Sequence, residues 1–181
     1  KKTSFSLGYQ GLAGILLLII YSYISNVFYP HTQLHNLFFF IIGLSLSVYF
    51  IFFKKRINFK ELKLLFQIFL ILFVTFLIFK THDDFSYYHF QYSYYLTQFS
   101  SLLGIGHFNH GFNTPSSIFY LNSLFYLPVI KYHLFHIPAV LIFGFSNLIL
   151  ITKILNFIRK KEPNYLTYIL LFSIIFINIF F

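Results

Sequence analysis

The sequence has no cysteine, tryptophan or methionine among its 181 residues, and it carries little charge. The absence of cysteine excludes disulfide bonds, thiol nucleophiles and zinc sites built on sulfur. Only 9% of the residues are charged, whereas an ordinary soluble domain has about 25%. Because hydrophobic residues make up 58% of the chain, we predict an all-α, polytopic transmembrane helix bundle.

Acidic residues are also scarce: four stand against 13 lysines and arginines, which gives a formal net charge of +9. The cations interrupt apolar segments and do not cluster on a soluble face, so we interpret them as topology signals and expect no nucleic-acid binding. By the positive-inside rule, the basic segments 54–63 and 153–161 are predicted to be cytoplasmic, together with the N-terminus. The loop 30–36 has no Lys or Arg and is predicted to lie outside.

Five apolar segments are predicted to cross the membrane, because a spanning helix needs roughly 20 mostly apolar residues. They cover residues 12–28, 37–53, 64–79, 137–152 and 165–181. Thr114 followed by Pro115 predicts an N-cap and a helix that can run only to Pro128, about 20 Å at the usual rise per residue. We expect one transmembrane domain over 1–181 with an external loop at 80–132, and the N-terminal part of a longer protein.

One polar stretch interrupts the apolar pattern, residues 81–117, and it holds two of the four acidic residues, Asp83 and Asp84. Ionisable groups at a membrane face are costly and by default mark a working site. Neighbouring helical residues point about 100° apart, so the two carboxylates are given different roles. Asp83 is assigned as a general base or metal ligand, and Asp84 as the cap of an interfacial helix over 85–100 or as support for Asp83. Alternatively, both only neutralise Lys80.

The eight histidines are all predicted to lie on the outer side of the membrane. They are His31, His35, His82, His89, His107, His110, His133 and His136. The pairs 107/110 and 133/136 have a spacing that lets two imidazoles reach one metal ion on a helix, although glycines flank the first pair. His89 is the strongest candidate, since a protonated imidazole near the carboxylates could bind an anionic leaving group. The simpler interpretation is interfacial histidines bonded to water or lipid headgroups.

Two short motifs resemble those of a known family. The segment Asp83-Asp84-Phe85-Ser86-Tyr87-Tyr88-His89 and the later segment Gly111-Phe112-Asn113-Thr114-Pro115-Ser116-Ser117 are similar to motifs of the GT-C superfamily of integral-membrane glycosyltransferases, in particular a bacterial GT-C-like subgroup. The resemblance implies transfer of a sugar from a polyprenyl-phosphate donor to a glycan or lipid acceptor on the outer face, for envelope polysaccharide or glycolipid assembly. It also implies a multi-pass protein of the bacterial plasma membrane, with membrane lipids around it.

Together, the residue patterns and the resemblance give a set of candidate site residues. The catalytic candidates are Asp83, Asp84 and His89; the substrate-binding candidates are Tyr87, Tyr88, His107, His110, Asn113 and Lys131; and Asp83 is the candidate ligand for a divalent metal such as Mg²⁺ or Mn²⁺. The tyrosines could offer rings and hydroxyls to sugar faces or simply anchor the chain at the interface. Lys131 could meet a lipid phosphate or only extend to the interface.

Two other functions stay open from the sequence. An ion- or proton-coupled transporter or flippase-like protein usually places ionisable residues near the bilayer midplane. None of the predicted spans carries Asp, Glu, Lys, Arg or His at mid-depth, which argues against that class. A non-catalytic membrane scaffold is the third possibility.

Overall fold

The computed structural model describes residues 6–53, 58–78, 84–160 and 165–180. Within these ranges the chain is helical, with connecting loops and no β-strand, which confirms the predicted all-α class. The helices are α1 Leu7–Phe28, α2 Gln33–Val48, α3 Phe59–Ile78, α4 Phe90–Gln98, α5 Ser117–Ser123, α6 Ile137–Lys160 and α7 Tyr165–Phe180. A π-helical turn, Tyr49–Phe53, extends α2, and another, Phe85–His89, leads into α4.

Among the residues that the structure describes, three helical segments are long and apolar enough to cross a membrane: Leu7–Phe28, Gln33–Phe53 and Tyr132–Arg159. They contain the first, second and fourth of the predicted spans. The third predicted span falls on α3, and the fifth on α7, which has only 16 residues. Three candidate spans are therefore established by length and composition, and the count of five stays a prediction.

The bundle is organised around α6, which packs against α1, α3, α5 and α7. Its Phe145 ring meets the Phe69 ring of α3 edge-on, with 5.7 Å between the ring centroids. On the other side the Phe145 ring lies directly against Gly11 of α1, where a Cβ atom would overlap the ring. Small residues let membrane helices approach closely. Gly11 therefore sets the distance between α1 and α6.

A pair of asparagine side chains joins α6 to α7. The Asn178 amide donates to the Asn147 side-chain oxygen at 2.8 Å, and the Asn147 amide donates back at 3.2 Å. Asn147 is buried within apolar surroundings. Because an amide in such surroundings needs a partner, this reciprocal pair fixes the rotation of α7 against α6.

The two ends of the bundle can be told apart from hydrogen bonds. The Glu61 carboxylate of α3 accepts a bond from the Leu7 amide of α1 at 2.9 Å, so α1 and α3 begin at the same end. This agrees with the prediction that the N-terminus and the basic segment before α3 share one side. At the opposite end, the last turn of α1 bonds to the chain around residues 96–101.

One predicted cap and one predicted helix start are wrong. Asp84 has helical backbone angles and its side chain makes no capping bond, because an N-cap residue needs an extended backbone. The N-cap of α5 is Ser116, whose hydroxyl accepts from the Ile118 amide at 3.4 Å. The Thr114 hydroxyl instead turns back to donate to the Gly111 carbonyl. With its end at Ser123, α5 is about 10 Å long, half the predicted length.

Candidate functional site

The two motifs that carry the family resemblance pack against each other. The turn Phe85–His89 contacts the 3₁₀ turn His110–Asn113. At the centre of this contact, the Tyr88 side chain lies on Gly111: a Cβ atom added to Gly111 would come within 2.7 Å of Tyr88 Cγ. Only a residue without a side chain fits there. The fold thus brings the second motif onto the first.

The candidate catalytic residues lie on the first of these segments. Asp84 and His89 are both half-buried. The His89 ring lies between aromatic neighbours, 4.3 Å from the Tyr88 ring and 4.9 Å from the Phe119 ring, measured between centroids. Tyr87 is exposed. Asp83, assigned as base or metal ligand, lies outside the described residues.

A cavity of about 260 Å³ lies next to this contact, beneath the loop that joins α4 to α5. It is lined by Tyr92, Leu102, Gly104, Ile105, Gly106, His107, Phe112, Asn113 and Pro115. Two predicted substrate-binding residues, His107 and Asn113, therefore face one cavity. Burial, followed by the neighbouring Tyr120, raises the pKa of Tyr92, so this phenol stays protonated and can donate a hydrogen bond.

The other predicted substrate-binding residues do not line this cavity. Tyr87 and Tyr88 lie on the preceding segment, and His110 lies beside the cavity, with its Nδ1 atom 3.5 Å from the Asn113 amide nitrogen. Lys131 is exposed in a separate turn, where its backbone amide donates to the Leu127 carbonyl at 2.7 Å. The cavity is thus built mainly from the second motif and the glycine-containing loop before it.

The two histidine pairs with a metal-ligand spacing are arranged differently in the part of the chain that the structure describes. The helical premise is wrong for the first pair, because the 3₁₀ turn Ile105–His107 ends before the next turn begins at His110. In the second pair, the His136 ring packs on Phe85 and the His133 ring packs on Tyr132. No group of three or more metal-binding side chains occurs among the described residues. The assignment of Asp83 as a metal ligand falls outside them.

A buried polar cluster that the sequence did not predict is centred on His31, in the loop between α1 and α2. The His31 side chain is fully buried. Its Nδ1 lies 2.6 Å from the Ser123 hydroxyl and its Nε2 lies 2.9 Å from the Ser25 hydroxyl. Because the Ser123 hydroxyl donates to the Tyr120 carbonyl, it accepts from His31 Nδ1–H. In the neutral ring, Nε2 then accepts from the Ser25 hydroxyl, so each ring nitrogen has a partner.

Asn36, on the first turns of α2, completes this cluster. Its amide nitrogen lies within 3.1 Å of three carbonyl oxygens, those of His31, Ser123 and Tyr126. Its side-chain oxygen accepts from His35 Nδ1 at 2.9 Å. One side chain thus holds together the α1–α2 loop and the end of α5. We call His31, Asn36, Ser25 and Ser123 the polar hub.

A second amide ties the α4 end to α1. Asn26 is buried, and its amide nitrogen donates to the Leu96 carbonyl at 3.0 Å and to the Phe99 carbonyl at 3.3 Å. One sequence signal could have revealed this contact: Ser22 and Asn26 are polar residues four positions apart in an apolar segment. That spacing places both on one face of α1, where they need polar partners.

The polar hub predicts a pH dependence of stability. Burial, with the nearby His35 ring as a smaller cause, lowers the pKa of His31 to about 3. In the unfolded chain the same ring takes up a proton at a pH of about 6.5. Below that pH the unfolded state binds more protons than the folded state, so stability falls as the pH falls. The expected slope from His31 is up to about 1.4 kcal/mol per pH unit between pH ~6 and ~3.

Unfolding of the purified protein by denaturing detergent at pH 7, 6 and 5 measures this slope. We expect His31→Gln to be less stable at pH 7 and to lose part of the slope. His107→Gln, at an exposed position, is the matched control and should keep the slope. Equal slopes for the original chain and His31→Gln would show that His31 does not resist protonation in the folded state.

No model of a protein family matches this chain, and no curated protein or solved structure is significantly similar to it. The fold itself defines the class: the described part of the chain is all-helical, with three helices suited to crossing a membrane.

Proposed function

We propose that the chain belongs to a membrane glycosyltransferase that moves a sugar from a polyprenyl-phosphate donor to a glycan or lipid acceptor on the outer face, for envelope polysaccharide or glycolipid assembly. One observation carries the proposal: the two motifs of the GT-C resemblance, distant in sequence, meet where Tyr88 packs on Gly111. A cavity lined by His107 and Asn113 lies beside that contact. The combination of carboxylates, imidazoles and amides next to candidate membrane spans suits a substrate with a polar head and a lipid tail.

In the proposed reaction, Asp83 takes the proton from an acceptor hydroxyl as the oxygen attacks the anomeric carbon of the donor sugar. The bond between that carbon and the phosphate oxygen breaks, and the lipid phosphate leaves with the bonding electrons. Protonated His89, at the end of the same segment, binds the departing phosphate. Inversion at the anomeric carbon follows from this single displacement. His107 and Asn113 would hold hydroxyl groups of the donor or acceptor in the cavity.

A substitution at Gly111 tests whether the contact between the motifs matters. Gly111→Ala forces the Tyr88 side chain away, since the new methyl group would lie about 2.7 Å from its ring. We expect transfer to fall about 10- to 100-fold, because displacing reacting groups by about 1 Å can cost that much. Gly43→Ala is the matched control: nothing lies within 4 Å of that position, so it should keep full activity.

The assay is release of labelled sugar from a panel of polyprenyl-phosphate sugars by the full-length protein in lipid nanodiscs. Transfer that is unaffected by Gly111→Ala would show that the packed motifs are not part of the site. Absence of transfer with every donor, combined with ion or proton uptake into proteoliposomes, would favour the transporter alternative. Absence of both activities would favour the scaffold.

A further inference from the structure

The loop that follows α4 exposes large apolar side chains. Phe99 is 57% exposed, Leu103 is 93% exposed and Phe108 is 88% exposed. The stretch from 99 to 117 contains no Asp, Glu, Lys or Arg. Exposing such side chains to water is unfavourable, and a cluster of them on a loop without Asp, Glu, Lys or Arg marks a contact surface. The identity of the partner depends on where the loop lies.

Hydrogen bonds fix the start of this loop to the end of α1. The Ser101 amide donates to the Asn26 carbonyl at 3.0 Å, and the Ser101 hydroxyl donates to the Val27 carbonyl at 2.9 Å. The Asn26 side chain holds the Phe99 carbonyl as well. Since α1 is one of the three helices suited to crossing a membrane, its last turn marks the edge of the hydrocarbon region. The loop therefore starts at that edge.

The backbone turns one leucine inward and the next outward. Ser101 has φ 50° and Gly104 has φ 78°, so the chain reverses on both sides of the two leucines. Leu102 lines the cavity, whereas Leu103 points away from the protein. The non-glycine residue at positive φ is held there by the two bonds of Ser101 to α1. A strained backbone conformation thus lies close to the position where Leu103 is exposed.

We propose that residues 99–108 form a membrane-contact loop, in which Leu103 and Phe108 insert among the lipids at the headgroup boundary. Apolar side chains without charged neighbours gain from burial in the outer part of the hydrocarbon region, and a loop attached to the end of a spanning helix can reach it. A soluble protein partner would instead be expected to need polar or charged groups around the apolar residues. The inference holds whether or not the chain is a glycosyltransferase. It places the cavity behind Leu102 at headgroup depth.

The absence of tryptophan makes a direct test possible. Leu103→Trp and Phe108→Trp each introduce a single fluorescent reporter at a position where the side chain has room. Each variant is placed in nanodiscs whose scaffold protein lacks tryptophan, one protein per disc, with and without brominated phosphatidylcholine. Phe40→Trp, on the exposed side of α2, is the lipid-embedded reference. Free N-acetyltryptophanamide is the aqueous reference for iodide.

We expect both loop reporters to be quenched by brominated lipid to within about twofold of the Phe40→Trp reference, since both would contact acyl chains. Iodide should quench the two loop reporters several-fold less than it quenches the aqueous reference. Strong iodide quenching without lipid quenching would place the loop in water and overturn the proposal. Protection from both quenchers would indicate that protein covers the loop, which also overturns it. The quenching result does not depend on sugar transfer, so a protein without transfer activity would contradict the proposed function and not the membrane-contact loop.

Discussion

Replacing Asn36 with leucine is expected to lower the unfolding free energy by about 2–4 kcal/mol, because buried carbonyls would lose their donor. The Asn36 amide serves the carbonyls of His31, Ser123 and Tyr126. Leucine has the same number and branching of side-chain heavy atoms as asparagine, so the shape of the side chain is kept while the hydrogen bonds are lost. Those carbonyls belong to two separate regions of the chain. The substitution should therefore loosen the α1–α2 loop from α5 before the bundle unfolds.

Detergent-induced unfolding and limited proteolysis of the purified protein measure both effects. Gln91→Leu is the matched control: Gln91 is exposed, and its one described bond, to the Ser86 carbonyl, is 3.5 Å long. The control should change stability by no more than about 0.5 kcal/mol. If Asn36→Leu is as stable as the control, the polar hub does not hold the two regions together.

Asp83→Asn in the full-length protein is expected to reduce sugar transfer by about 10²- to 10⁴-fold, the usual contribution of a positioned general base. An amide cannot take the proton from the acceptor hydroxyl, but it has almost the same shape as the carboxylate. The loss should therefore appear in the rate of transfer, while membrane insertion and the amount of protein stay unchanged. Asp84→Asn is expected to cost less, since Asp84 is assigned to support Asp83.

The chain offers few acids for comparison, and Glu162→Gln is the matched control because it lies far from the motifs in sequence. It should transfer sugar at the original rate. Thin-layer separation of labelled products after reaction in nanodiscs provides the rates. Full activity in both Asp83→Asn and Asp84→Asn would remove the carboxylate mechanism altogether.

Local patterns predicted the parts of this fold that depend on local composition. Apolar runs long enough to span a bilayer gave α1, α2 and α6 in the right places, since helix formation in apolar segments is dictated by length and hydropathy. The helical stretch after Asp84 was also predicted, although it begins as a π-helical turn. The predicted cap, Asp84, was wrong, because capping depends on the backbone angles of a single residue.

Two of the residues proposed from the sequence for the candidate site, His107 and Asn113, line one cavity, and their role there stays a prediction. The other walls of that cavity include Leu102, Phe112 and the buried Tyr92. The last of these comes from α4, so its place in the wall depends on how α4 packs under the loop. His110, Tyr87, Tyr88 and Lys131 lie outside the cavity, because turns that reverse the chain separate residues that are close in sequence.

The sequence by itself determined that this is an all-helical chain suited to membranes, because hydrophobic content and run length act locally and need no knowledge of neighbours. Only the tertiary structure decided how those helices are joined. In the sequence nothing separated His31 from the other histidines, yet among the histidines that the structure describes it is the one that is fully buried, between Ser25 and Ser123. The hydrogen bond between His31 and Ser123, 92 positions later in the chain, depends on how distant helices pack, and no local sequence pattern contains it.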